Sequence, residues 1–99
     1  MVSYVLKSGD SYVKSTRYGV SKEILQLKEE AEKAGNEMEA KSYQKAITHQ
    51  IEEQVFSDSQ NEALAFDSIK ELDEFFSRNL DSYLANEYFY HVETVFKKG

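Results

Sequence analysis

Apolar and polar residues alternate at both ends of this chain and recur at helical spacing through its middle. Val2–Ser8 and Ser11–Arg17 read as two strands around Gly9-Asp10, a dipeptide suited to a two-residue II′ turn in which the glycine takes a positive φ. With that turn, Leu6 opposes Val13, Tyr4 opposes Ser15 and Val2 opposes Arg17. Directly opposed residues share a face of a sheet. Val2, Tyr4, Leu6 and Val13 are therefore expected to point into the core. Val5, Lys7, Tyr12, Lys14 and Thr16 are expected to point outward.

The pattern then changes period. Ile24, Leu27, Lys28, Ala31 and Ala34 follow one another at three- and four-residue steps, which predicts a helix over 22–34 with Ser21 as its N-cap. Gly35-Asn36 tolerates the left-handed backbone that stops a helix. A second helix is expected over 37–55, with Tyr43, Ala46, Ile47, Ile51 and Val55 as its apolar stripe and Met38 near its start. So short a break predicts an antiparallel helical hairpin; one long helix bent at Gly35 is the alternative. Ala63–Phe66 reads as a short strand, and Ser68-Ile69-Lys70-Glu71 as a capping box opening a helix over 69–78. Tyr88, Tyr90, Val92, Thr94 and Phe96 alternate with Phe89, His91, Glu93, Val95 and Lys97, which predicts a last strand over 87–97. The order β-β-α-α-β-α-β describes an α+β domain: a small antiparallel sheet with one packed helix and an inserted helical hairpin. The expected parts of this single domain, 1–99, are a hairpin (2–17), a helical hairpin (22–56) and a strand-helix-strand segment (63–97).

Composition narrows the function. The 99 residues are 40% hydrophobic and contain no cysteine, so no disulfide, thiolate metal site or thiol nucleophile is available. A reducing, cytoplasmic setting is the expectation. No signal peptide is visible at the start, and no apolar run is long enough to cross a membrane. The net charge of −6 is unevenly distributed: residues 1–22 carry +3 and residues 23–96 carry −11. Direct, nonspecific nucleic-acid binding needs a basic track, which most of this chain lacks.

Tyr4-Val5-Leu6-Lys7 with Tyr12-Val13-Lys14-Ser15, followed later by Ala63-Leu64-Ala65-Phe66-Asp67-Ser68-Ile69-Lys70-Glu71-Leu72, resembles a layout of short phage-encoded accessory proteins. In these a strand ending Phe-Asp-Ser leads into a helix capped by the serine. The resemblance spans about forty residues in structural motifs. It implies a phage or mobile-element origin and no particular chemistry. The helical hairpin, Lys22 to Phe56, departs from that layout as an insertion.

No catalytic constellation emerges. His49 with Glu52 has a spacing that a metal can use, but a tight site needs three or four ligands; an ordinary polar helix face is the simpler reading. His91 and Glu93 share a strand face and read first as a polar pair within a sheet. The adjacent acids Glu29-Glu30, Glu52-Glu53 and Asp73-Glu74 do not face one another on a helix, as paired catalytic carboxyls must. Lys7, Tyr12 and Lys14 form one exposed basic and aromatic face, able to contact an anion or stack a base. Tyr18, Tyr83 and Tyr88 are the tyrosines expected near a surface. Glu29, Glu30, Glu32, Glu37, Glu39, Glu52 and Glu53, with Glu23, could present spaced carboxylates to a basic groove, as a DNA mimic does. A solvated helix face explains the same residues. The expectation is a non-enzymatic, phage-type protein needing no cofactor or metal, which inhibits a basic, nucleic-acid-handling host protein in an anti-defence, anti-CRISPR-like role. The alternative is a structural or assembly module acting as a homodimer.

Overall fold

The computed structural model describes residues 1–96. The order of elements is β1 (Val2–Ser8), β2 (Ser11–Val13), α1 (Lys22–Lys33), α2 (Glu37–Val55), β3 (Phe56–Ser57), a 3-10 turn (Gln60–Glu62), β4 (Ala65–Phe66), α3 (Ile69–Asn79), α4 (Ser82–Glu87) and β5 (His91–Phe96). This is an α+β fold with a small antiparallel sheet. The chain forms two compact units: residues 1–16 with the part from Val55 onward, and residues 17–54 between them.

The first unit is the sheet with α3 and α4. The hairpin keeps the expected register, with Lys7 opposite Tyr12 and Ser8 opposite Ser11. Gly9 supplies the positive φ (57°) and Asp10 does not, as a II′ turn requires. The second strand is shorter than expected, ending at Val13 rather than Arg17. There the chain leaves β1, and the Lys14 and Ser15 N–H groups donate to the Val55 carbonyl at 2.8 and 3.4 Å. The vacated edge of β1 is taken by β4, which pairs Phe66 with Tyr4 and Ala65 with Val5. Along its other edge β1 pairs with the whole of β5, from Val2↔Phe96 to Lys7↔His91. β5 starts at His91, so Glu87 to Tyr90 precede it; the expected final residue, Lys97, lies outside the described residues.

A central strand covered on both faces corrects the assignment of inward residues. Leu6 and Val13 are buried as expected, but so are Val5 and Ser3, on the face expected to meet solvent. Val2, expected inside, is exposed, and Tyr4 is half-buried. On the Leu6 face, α3 packs against β1 and β4 and buries Leu72 and Phe76. Phe66, Phe75 and Phe76 form a cluster with ring centroids 5.2 to 5.5 Å apart, a spacing at which tilted rings attract. On the Val5 face the 3-10 turn and Ala63 lie over the sheet.

The N-cap bond of the expected capping box forms: the Ser68 hydroxyl accepts from the Glu71 N–H at 3.1 Å. Ile69, in the first turn of α3, is exposed. Helix α4 was not anticipated. Asp81 caps it by accepting from the Leu84 N–H at 2.9 Å, and Leu84 is fully buried. The Tyr90 hydroxyl donates to the Leu84 carbonyl at 2.7 Å. Burial, with the Asp81 charge nearby, pushes its pKa up to about 12. Tyr83 and Tyr88 are half-buried in a ring series with Phe56 and Tyr90.

The second unit is the helical hairpin. Gly35 takes φ 72°; its N–H donates to the Glu32 carbonyl, and the Asn36 N–H to the Ala31 carbonyl. These two bonds make a Schellman motif. The Asn36 side chain then accepts from the Glu39 N–H at 3.2 Å, capping α2. One residue thus closes the first helix and opens the second, so the bent single helix does not form. At the far end, the Gln54 carboxamide both donates to and accepts from the Gly19 backbone, at 2.7 and 2.9 Å. The Ser21 N–H donates to Gln50 Oε1 at 3.1 Å. These bonds tie the start of α1 to the end of α2, which makes the pair antiparallel. Ser21 sits at the N-cap position, but its side chain makes no capping bond. Ala31, Ile47 and Ile51 are the buried apolar residues here, and Leu25, Leu27 and Met38 are exposed.

A side chain at a positive-φ position is strained in the folded state. Gly35→Ala is expected to destabilise the protein by about 1 kcal/mol, read from the urea midpoint at unchanged slope.

Candidate functional site

The seven carboxylates singled out by sequence are all exposed, but the fold does not bring them all together. Glu29, Glu30 and Glu32 lie in the last turns of α1, and Glu37 and Glu39 in the first turn of α2. These five flank the Gly35-Asn36 turn. Across residues 29–39 the only basic side chain is Lys33, so the tip of the hairpin carries a concentrated negative charge. Glu52 and Glu53 sit near the other end of α2, about 20 Å along the helix from Met38 at 1.5 Å per residue. The hairpin as a whole, residues 17–54, carries only −2. The acidic surface is therefore a tip rather than a whole face.

Local pairing separates these acids further. Lys28 meets Glu32 at 3.4 Å and Lys33 meets Glu29 at 3.2 Å. Both are i,i+4 pairs at the surface, with Lys28 half-buried, a type that contributes a few tenths of a kcal/mol. Glu37 and Glu39 suit the positive end of the α2 dipole. The acids that end α1 oppose its dipole, whose carbonyl end favours cations. Met38 stands between Glu37 and Glu39 and is 85% exposed. Sequence reasoning placed it in the helix start without noting this. The signal was present, since its neighbours at i+3, i+4 and i+7 are Lys41, Ser42 and Lys45, all polar.

The basic and aromatic residues of the first hairpin do share one face. Lys7 and Tyr12 are directly paired, and the Lys7 ammonium lies 4.7 Å from the Tyr12 ring centroid. Neither lysine faces open solvent alone. Lys7 Nζ is 3.7 Å from Glu93, and Lys14 Nζ is 3.9 Å from Glu62. Glu93 also accepts from Gln60 Nε2 at 3.3 Å. The anion site expected of Lys7, Tyr12 and Lys14 is thus already furnished with carboxylates from β5 and the 3-10 turn.

The two histidines sit on separate elements, His49 on the polar face of α2 and His91 at the start of β5. His49 Nε2 lies 2.8 Å from Glu53, its i+4 neighbour. His91 stands opposite Lys7 in the β1–β5 register, while Glu93 is engaged by Lys7 and Gln60. Among the described residues no group of three or more His, Asp or Glu side chains is arranged to hold a metal. No helix among them is long and apolar enough to cross a membrane. No family model matches the chain, and comparison with curated proteins and with solved structures finds no match either.

Glu93 carries a testable electrostatic signature. Burial works against its ionisation, but hydrogen bonds from Tyr12 and Gln60 and the charge of Lys7 outweigh it, holding the carboxyl below the ordinary value of 4.5. A carboxyl with a lowered folded pKa adds stability above its unfolded pKa and loses it as pH falls through the folded one. Urea midpoints of the wild type are therefore expected to decline as pH drops below about 4.5. Glu93→Gln is expected to remove part of that decline and to leave the profile at pH 6–8 parallel to wild type.

Proposed function

We propose that this is a non-enzymatic binding protein that docks through the tip of its helical hairpin onto a basic, nucleic-acid-handling protein and inhibits it. One observation carries this reading: a closed helical turn displays an exposed methionine, Met38, between Glu37 and Glu39, with Glu29, Glu30 and Glu32 in the last turns of the preceding helix. An apolar anchor inside a charged rim is the composition of a protein interface. Glu29, Glu30 and Glu32 lie toward the carbonyl end of α1, where its dipole disfavours acids, and among the described residues only Glu29 and Glu32 are offset there by an i,i+4 lysine. The acidic field steers such a partner into contact and repels nucleic acid itself. A phage-type, anti-defence inhibitor acting in a host cell is the setting in which such a protein is most useful, and the sequence resemblance points the same way.

The test separates tip from base. Immobilised wild type is expected to retain a basic nucleic-acid-binding protein from host lysate and to release it at high salt. Reversal of Glu30, Glu37 and Glu39 to Lys is expected to abolish retention, and reversal of Glu52 and Glu53 to leave it largely intact. Equal retention by wild type and the tip variant ends the proposal.

Self-association is a second reading, and β5 favours it. Among the described residues β5 pairs on one edge only, and Val92 and Phe96 are exposed beside Val2 on one face. An unprotected apolar edge strand is a pairing template. Light scattering across a hundredfold concentration range is expected to show dimer at the upper end; a mass fixed at monomer throughout removes this reading.

A further inference from the structure

The sheet carries a cavity that the docking tip does not use. It has a volume of about 450 Å³ and lies on the Val5 face of the sheet, between β1, β4, β5 and the 3-10 turn. That volume is within the range of small-molecule sites. Its origin is legible in the Ala63-Leu64-Ala65-Phe66 run. Phe66 meets the phenylalanines of α3 on one face. Ala63 and Ala65 line the opposite side, where their single methyl groups leave room unfilled.

Ser3 lies in the same wall, opposite Val95 in the strand register. It is 5% exposed, and its hydroxyl has no hydrogen-bond partner. A buried polar group left unpaired lowers stability, and native proteins rarely retain one without cause. The remaining polar lining is the two neutral carboxamides of Gln60 and Asn61 on the 3-10 turn. No charged side chain lines the cavity. Nearby Glu93 is engaged by Lys7 and Gln60, so a charged guest meets no free counter-charge.

We infer that this cavity is a binding site for an uncharged small molecule bearing an amide-type edge. Carboxamides offer a donor and an acceptor side by side, which matches a ligand carrying both on adjacent atoms. The Ser3 hydroxyl, able to donate or accept, takes the third hydrogen bond. The apolar walls of Val5, Ala63, Ala65 and Val95 cover the rest of the guest. Recognition is by shape and neutral hydrogen bonding, independent of the acidic tip and of whatever docks there.

Uracil, an uncharged cyclic imide of about eight non-hydrogen atoms, serves as the probe, with benzoate as a charged control; ligands this small bind in the millimolar range. In amide-resolved NMR titrations, uracil is expected to give saturable shifts at Ser3, Val5, Ala63 and Ala65, and benzoate none. Ser3→Ala is expected to weaken uracil binding about tenfold, the loss of one hydrogen bond, while raising the melting temperature. Ala63→Leu, which fills the space, is expected to abolish binding. Absence of saturable shifts at these amides up to about 10 mM uracil overturns the inference. So does undiminished binding by a folded Ser3→Ala protein, which keeps the test decisive even if Ala63→Leu does not fold.

Discussion

Strand β1 must satisfy two edges of backbone hydrogen bonding, and no single neighbour covers its second edge. β5 matches it along one side through six residue pairs. On the other side β2 pairs near the turn and β4 pairs nearer the chain start. Buried backbone groups must be paired, so the shortness of β2 and the presence of β4 are one requirement met by two segments. The departure of the chain at Val13 frees it to enter the helical hairpin. Its return at Val55 brings β3 back against β2, with Val13 opposite Phe56. The 3-10 turn then carries the chain over the Val5 face before β4 fills the gap. The cavity, the Glu93 network and the two-faced burial of β1 all follow from that route.

Much of this was legible in the residues. Gly9-Asp10 specified the turn and register; Gly35-Asn36 specified the break between helices; Ser68 and Glu71 specified the start of α3. Each is a local rule acting over four residues or fewer. What escaped was set by contacts between distant segments. Alternation in β1 assigns one inner face, but the 3-10 turn and Ala63, far along the chain, lie over the other, and Val5 and Ser3 are buried there. Helix α4 is six residues long, too short to show a period, and it is held by Asp81 and by Tyr90 bonding back to Leu84.

The candidate site was legible in kind and blurred in extent. Sequence identified the carboxylates but gave them equal standing, because charge counted along a chain does not reveal where a helix ends. Once the Schellman turn is placed, five of them gather within a few residues of it and two move to the far end of α2. The same placement shows which acids oppose a helix dipole and which complement one. For Lys7, Tyr12 and Lys14 the opposite correction applies. Their common face was correctly inferred from strand parity, but the carboxylates that meet them come from Glu62 and Glu93, far along the chain.

The closure of each unit upon itself has a consequence for how such a chain can change over time. Within the sheet unit, the outgoing backbone at Lys14 and Ser15 is hydrogen-bonded to the incoming one at Val55. Within the helical unit, Gly19 is hydrogen-bonded to Gln54. To the sheet, everything between these junctions is topologically a loop whose ends already touch, and loop-closure entropy depends only logarithmically on its length. The helical hairpin is therefore an exchangeable cartridge: it can be lengthened, recharged or traded for another segment while the sheet keeps its own bonds. Substitutions can accumulate at the tip while the base keeps the hydrogen bonds that close it.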